Sequence, residues 1–201
     1  MKPDYKTILN TVLQVLNCYQ IRKIPVDLFS IIAQVPNLNI HKYSDTAVAN
    51  GVTVQDICNT FRSNYGVYIR DRSKNRHSIF YNDVTKNEGL LRFTIAHELG
   101  HFFLLHADTE EIEYDTKEYE ANFFARNLLA PVPLVERVLS NDKVNTENIK
   151  CISLCFQISY EAAQVRMKSY QMDKEVTVQL AEKIGFFDEF QIFHPFQFEM
   201  V

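Results

Sequence analysis

Ten residues, Thr94-Ile95-Ala96-His97-Glu98-Leu99-Gly100-His101-Phe102-Phe103, constrain this chain more than any others. They set His-Glu-x-x-His inside an apolar run. Residues four apart on a helix stand one turn above each other on the same face. His97 and His101 therefore aim two imidazoles at one point, with Glu98 beside it. Two nitrogen ligands and a carboxylate able to take a proton from water are what a catalytic zinc requires. The pentapeptide also arises by chance, so its surroundings decide the reading.

The 201 residues suffice for one well-packed domain, or one with a small appendage. No window approaches the ~20 uninterrupted apolar residues of a membrane span. The opening Met1-Lys2-Pro3-Asp4-Tyr5 lacks the apolar core of a signal peptide. Cys18, Cys58, Cys151 and Cys155 form no CxxC and no tight framework, which reads as buried reduced thiols. These features together predict a cytoplasmic protein. A net charge of −4 without a Lys/Arg run argues against nucleic-acid binding as the main activity.

Helical spacing of apolar residues predicts a long amphipathic helix over 4–22, and a second from Val26 to Gln34 with Pro25 in its first turn. Residues 38–43 alternate as a half-buried strand does, and a helix is expected from Thr53 to Arg62. Gly66–Arg70 and His77–Tyr81 read as a β-hairpin. Thr85 and Glu88 have the spacing of a capping box, opening a helix that runs to about Leu105 and carries His97 and His101 near its middle. Gly100, poor for helix propensity by ~1 kcal/mol, admits either a close approach of another backbone or of the metal, or a bland surface position. A further helix is expected over Thr116–Ala130, stopped by Pro131 and Pro133. Three short helices follow at 134–140, 146–156 and 159–171, with Ser159 as an N-cap. The last two have the outline of a helix-turn-helix, but Lys150, Arg166 and Lys168 are balanced by Glu147 and Glu161, too evenly to grip a phosphate backbone. The tail from Gly185 to Met200 carries six phenylalanines and is expected to fold back on the core.

A catalytic zinc takes three protein ligands. An extended motif with a third histidine fails, because Leu104 and Ala107 stand where Gly and His are needed. His106 is about 140° round the helix from His101 and is expected to point elsewhere, as a helix-end histidine. The alternative is a glutamate on the next helix. Glu118 and Asn122 share a stripe with Ala121, Ala125 and Leu129, and a carboxylate turned toward a core needs a cation to meet it. Asn122 would then bond the free ring nitrogen of a ligand histidine. Two alternatives stay open: Glu118 as an exposed group following an Asp115 cap, and Glu120 as the ligand instead.

The segments Arg92-Phe93-Thr94-Ile95-Ala96-His97-Glu98-Leu99-Gly100-His101 and Glu118-Tyr119-Glu120-Ala121-Asn122-Phe123-Phe124-Ala125-Arg126-Asn127-Leu128-Leu129-Ala130-Pro131 resemble the paired signatures of the ImmA/IrrE family of zinc metallopeptidases. Ala130 replaces the usual Met, at a packing position. The resemblance implies an α+β fold with a zincin-like peptidase core: a small mixed or antiparallel sheet, the His-Glu-x-x-His helix and a glutamate-bearing helix, with mostly helical N- and C-terminal parts. The core is expected over 1–145, with C-terminal helices and the tail over 146–201. By the same resemblance, His97, His101 and Glu118 bind Zn2+, and Glu98 is the general base. The partner it implies is a helix-turn-helix repressor of a phage or mobile element, cleaved by the enzyme. Substrate is expected to pair with a sheet edge, taken as His77–Tyr81; Tyr81, Tyr114 and Tyr119 are unranked candidates to stabilise the oxyanion, a structural aromatic being the default reading of each. The alternative is a zinc-binding regulatory protein that sequesters a partner without cutting it.

Overall fold

The computed structural model describes residues 3–109, 111–139 and 144–183. The described residues divide into two compact units, one of Pro3 and residues 28–125, the other within 4–27 and 126–183. The boundary expected after residue 145 falls within the second. The phenylalanine-rich tail and its expected packing lie outside the described residues.

The first unit begins with α2 (Leu28–Gln34), following α1 (Tyr5–Cys18) of the other unit. Pro25 lies ahead of α2 rather than in its first turn. Strands β1 (Leu38–Lys42), β2 (Gly66–Asp71) and β3 (Arg76–Tyr81) form one sheet in the order β1-β3-β2. β1 runs parallel to β3, and β2 antiparallel to it. Between β1 and β2 the chain makes α3 (Tyr43–Asn50), for which the sequence pattern predicts no element, and α4 (Val54–Phe61). The α4 start is a capping box, with the Thr53 side chain on the Asp56 N–H and the Asp56 carboxylate on the Thr53 N–H. Strand periodicity gives β3 two working faces. Phe80 packs with Phe61 against the cluster of Tyr43, Ala47, Ile57 and Cys58. His77, on the opposite face, meets Phe102 of α5 (Glu88–Phe103) edge-on.

Helix α5 packs on β2 and β3, with Thr94 against Gly66 and Phe102 against Tyr68 and His77; its Ile95, Ala96 and Leu99 are fully buried. Removing a side chain such as Leu99 down to Ala would cost about 2–5 kcal/mol. The cap of α5 is Asn87, whose Oδ1 accepts from the Leu90 N–H at 3.0 Å, not Thr85. Asn is itself a strong N-cap, and its use places Glu88 in the first turn, where the helix dipole favours an acid. Helix α6 (Tyr114–Leu129) follows; its start at Tyr114 puts Asp115 inside the first turn, so Asp115 does not cap it.

The second unit is helical. α1 is capped by the Asp4 carboxylate on the Thr7 N–H. It packs on α9 (Tyr160–Lys183), as do α7 (Val132–Val138) and α8 (Thr146–Phe156). Ser159 caps α9, its Oγ 3.1 Å from the Ala162 N–H, and the helix runs well past the expected end at 171. Leu13, Leu16, Phe156 and Tyr170 are fully buried in this unit, together with Arg166. Among the described residues, no helix is long and apolar enough to cross a membrane.

Candidate metal centre

Three elements of the first unit meet at one cleft: α5, the N-terminal half of α6 and strand β2. Two glycines allow the approach. A Cβ on Gly100 would lie 3.0 Å from Ala121 Cα and 3.1 Å from its carbonyl oxygen, so α6 lies backbone-to-backbone on α5. Gly100 is buried, which settles its two sequence readings in favour of close approach. A Cβ on Gly66 would meet Thr94 Cγ2 at 2.6 Å and the Phe80 carbonyl of β3 at 3.0 Å, so β2 lies against the Thr94 side chain of α5.

This packing brings Glu118 against the histidine pair. His97 Nε2 is 3.3 Å from Glu118 Oε2, and His101 Nε2 is 3.3 Å from Glu118 Oε1. The two Nε2 atoms are 3.0 Å apart. One ligand atom from each of the three residues falls within 4.8 Å of the others. Glu120 is turned away, toward His106. Asn122 does what its spacing suggested: its Oδ1 lies 3.0 Å from His97 Nδ1, leaving Nε2 to face the centre.

The donor set fits a metal ion. Burial pushes the His97 pKa below its ordinary value against the pull of Glu118. Burial, with His97, His106 and Lys117 nearby, takes His101 down to about 3. Two neutral imidazoles and a carboxylate thus point electron-rich atoms at one another with few protons to separate them, an arrangement that a cation relieves.

Glu98 is 6% exposed. Burial pushes its carboxyl up to about 8, opposed by a hydrogen bond from the Tyr68 N–H and reinforced by the charge of Glu118. The surrounding cleft, about 680 Å³, is lined by Gly66, Val67 and Tyr68 of β2, by Glu98 and the ligand trio, and by Tyr114.

Three expectations need correction. β3 is the central strand, so the sheet edge bordering the cleft belongs to β2; the hairpin was read correctly, but the return of β1 to pair with β3 could not be seen from local alternation. Of the three tyrosines, Tyr81 is buried against Phe29 and Tyr119 does not line the cleft, leaving Tyr114. His106 is 4% exposed and lies against His101. His106 does not follow the helical wheel because α5 ends at Phe103. Leu105 turns left-handed at φ 58°, and the N–H groups of Leu105 and His106 bond the carbonyls of Phe102 and His101. This Schellman turn folds His106 back over the helix end.

An α+β fold with a His-Glu-x-x-His helix, a glutamate on the next helix and a strand edge beside both is a zincin-like peptidase fold. A family model described as the IrrE N-terminal-like domain of peptidase M78 matches residues 54–168, and the chain belongs to that family, the ImmA/IrrE zinc metallopeptidases. A comparison with curated proteins found no match.

Proposed function

We propose that this chain is a cytoplasmic zinc endopeptidase that hydrolyses a peptide bond in a regulatory protein. The substrate class to test first is a helix-turn-helix repressor of a phage or mobile element. The observation that carries the reading is the convergence of His97, His101 and Glu118 beside buried Glu98, in a cleft bordered by a strand edge. His97, His101 and Glu118 would hold the ion, with Asn122 orienting His97. A zinc bound there supplies Lewis acidity, polarising the scissile carbonyl and lowering the pKa of a water toward ~7.

The remaining work belongs to the chain. Glu98, desolvated, is a stronger base than an exposed carboxylate; it takes the proton from the attacking water and delivers it to the leaving amine. The β2 edge over Gly66–Tyr68 offers main-chain groups to an extended substrate, which adds as a strand. Tyr114 lines the same cleft, near Glu118, and is the residue proposed to donate its hydroxyl to the oxygen that gains charge.

The test is incubation of purified chain, its zinc content measured, with the repressor encoded by the neighbouring reading frame. One zinc per chain and repressor fragments are expected, and Glu98→Gln should keep the zinc but produce no fragments. Fragments from Glu98→Gln would sink the mechanism. A repressor held in complex but left intact would instead favour the sequestering regulator.

A further inference from the structure

We propose that His106 and Glu120 form a relay that fixes the tautomer and ring orientation of His101. They are positioning residues for the metal centre, and the inference rests on the reading of that centre given above. His106 Nδ1 lies 2.9 Å from His101 Nδ1, and His106 Nε2 lies 3.1 Å from Glu120 Oε2. Two ring nitrogens that close share one proton, so one donates and the other accepts.

The direction follows from the two ends of the chain of bonds. At the inner end, His101 Nε2 faces His97 Nε2 and Glu118, and must present a lone pair to bind an ion. A neutral His101 then carries its proton on Nδ1. That proton goes to His106 Nδ1, which is bare, and His106 keeps its own proton on Nε2. At the outer end, Glu120 as a carboxylate is acceptor-only and takes that proton's hydrogen bond. The opposite order would aim a proton of His101 into the metal centre and leave His106 with no hydrogen for Glu120.

The ring of His106 has little freedom to choose otherwise. The residue is buried, its backbone N–H donates to the His101 carbonyl at 3.0 Å, and its own carbonyl accepts from Lys117 Nζ at 2.8 Å. Leaving a buried ring N–H without an acceptor carries the full desolvation cost of that group. The two ligand histidines therefore have unlike supports: a side-chain amide behind His97, and an imidazole backed by a carboxylate behind His101. Such outer partners orient a ligand and raise its basicity.

Long-range proton–nitrogen NMR of the imidazoles tests the order on the unaltered, zinc-loaded chain. His106 should be protonated at Nε2 and bare at Nδ1; the opposite His106 tautomer overturns the proposal. Zinc affinity, measured by competition with a chromogenic chelator, is the second readout. His106→Leu should weaken binding by about 10- to 100-fold. His106→Gln, whose amide keeps an acceptor and a donor, should stay within about threefold of wild type. Equal losses in the two variants would reduce His106 to a packing residue and overturn the relay. If His106→Leu does not fold, Glu120→Ala makes the same test nearer the surface, with the same expected loss. A wild-type chain that takes up no zinc overturns the metal reading and the relay together. Tight wild-type binding with indifferent variants overturns the relay alone.

Discussion

Each compact unit buries an ionisable side chain, and the two are treated in opposite ways. In the first, burial pushes Glu98 up to about 8 while the Tyr68 N–H offsets only part of the penalty. In the second, burial lowers Arg166 to about 10, with Asp173 opposing the shift. Its Nη1 donates to Asn127 Oδ1, and its Nη2 to Ser169 Oγ and the Asp173 carboxylate. Burial by itself does not mark a functional group. A buried charge given partners holds structure together, and a buried acid short of partners is a reserve of basicity.

The sharpest way to break this contrast is Glu98→Gln. Hydrolysis should fall by on the order of 10²- to 10⁴-fold, while the urea midpoint holds in acid and rises over wild type as pH climbs to about 8, a range in which folding must keep the buried carboxyl protonated and a neutral amide carries no such cost. A large fall in midpoint would make Glu98 structural after all. Arg166→Met should do the reverse of a functional variant and cost about 3 kcal/mol in chemical denaturation, since Asp173 is then left to Arg126, 3.7 Å away. A cost below ~1 kcal/mol would mean that the Arg166 network contributes little to stability.

Asp83 lies between these extremes. Burial would raise its pKa, but the Ser44 hydroxyl and N–H outweigh burial and hold it below the ordinary value. A depressed carboxylate stabilises the fold above its unfolded pKa, and the contribution is lost as pH falls through the folded value. Ser44→Ala removes the 2.6 Å hydroxyl bond and should cost about 0.5–1 kcal/mol at pH 7 after solvent screening. Melts recorded at decreasing pH should show that gap closing below about pH 4. The smallest effect belongs to Leu105→Gly. A left-handed Leu is strained by roughly 1–2 kcal/mol, which glycine's greater unfolded-state entropy partly cancels. The variant should melt at or slightly above wild type, and a fall of several degrees would show that the Leu105 side chain holds the turn.

What the sequence made legible was local. The spacing of His97 and His101, the stripe of Glu118 and Asn122 and the helix beginning after Thr53 are each decided within one turn or one helix, and the structure contains them. What escaped depends on how segments meet. A helical wheel placed His106 on the wrong face because the wheel assumes a helix that has already ended at Phe103. The alternation of His77–Tyr81 reported a strand but not its neighbours, and a parallel partner some forty residues earlier in the chain turned an apparent edge into the centre of the sheet. Tyr43–Asn50 went unread because its helix buries only Tyr43 and Ala47, too few apolar positions to set a period.

The contact of Gly100 with Ala121 also bears on the order in which the molecule assembles. It closes a span of only about 20 residues, a short loop in entropic terms, whereas β1 must find β3 across roughly twice that length. The helical hairpin bearing all three candidate ligands is thus a nucleus the chain can reach early, ahead of the sheet that later walls the cleft. Kinetic analysis of Gly100→Ala should give a φ-value above those of conservative β1 variants, as expected if the hairpin forms before β1 joins the sheet.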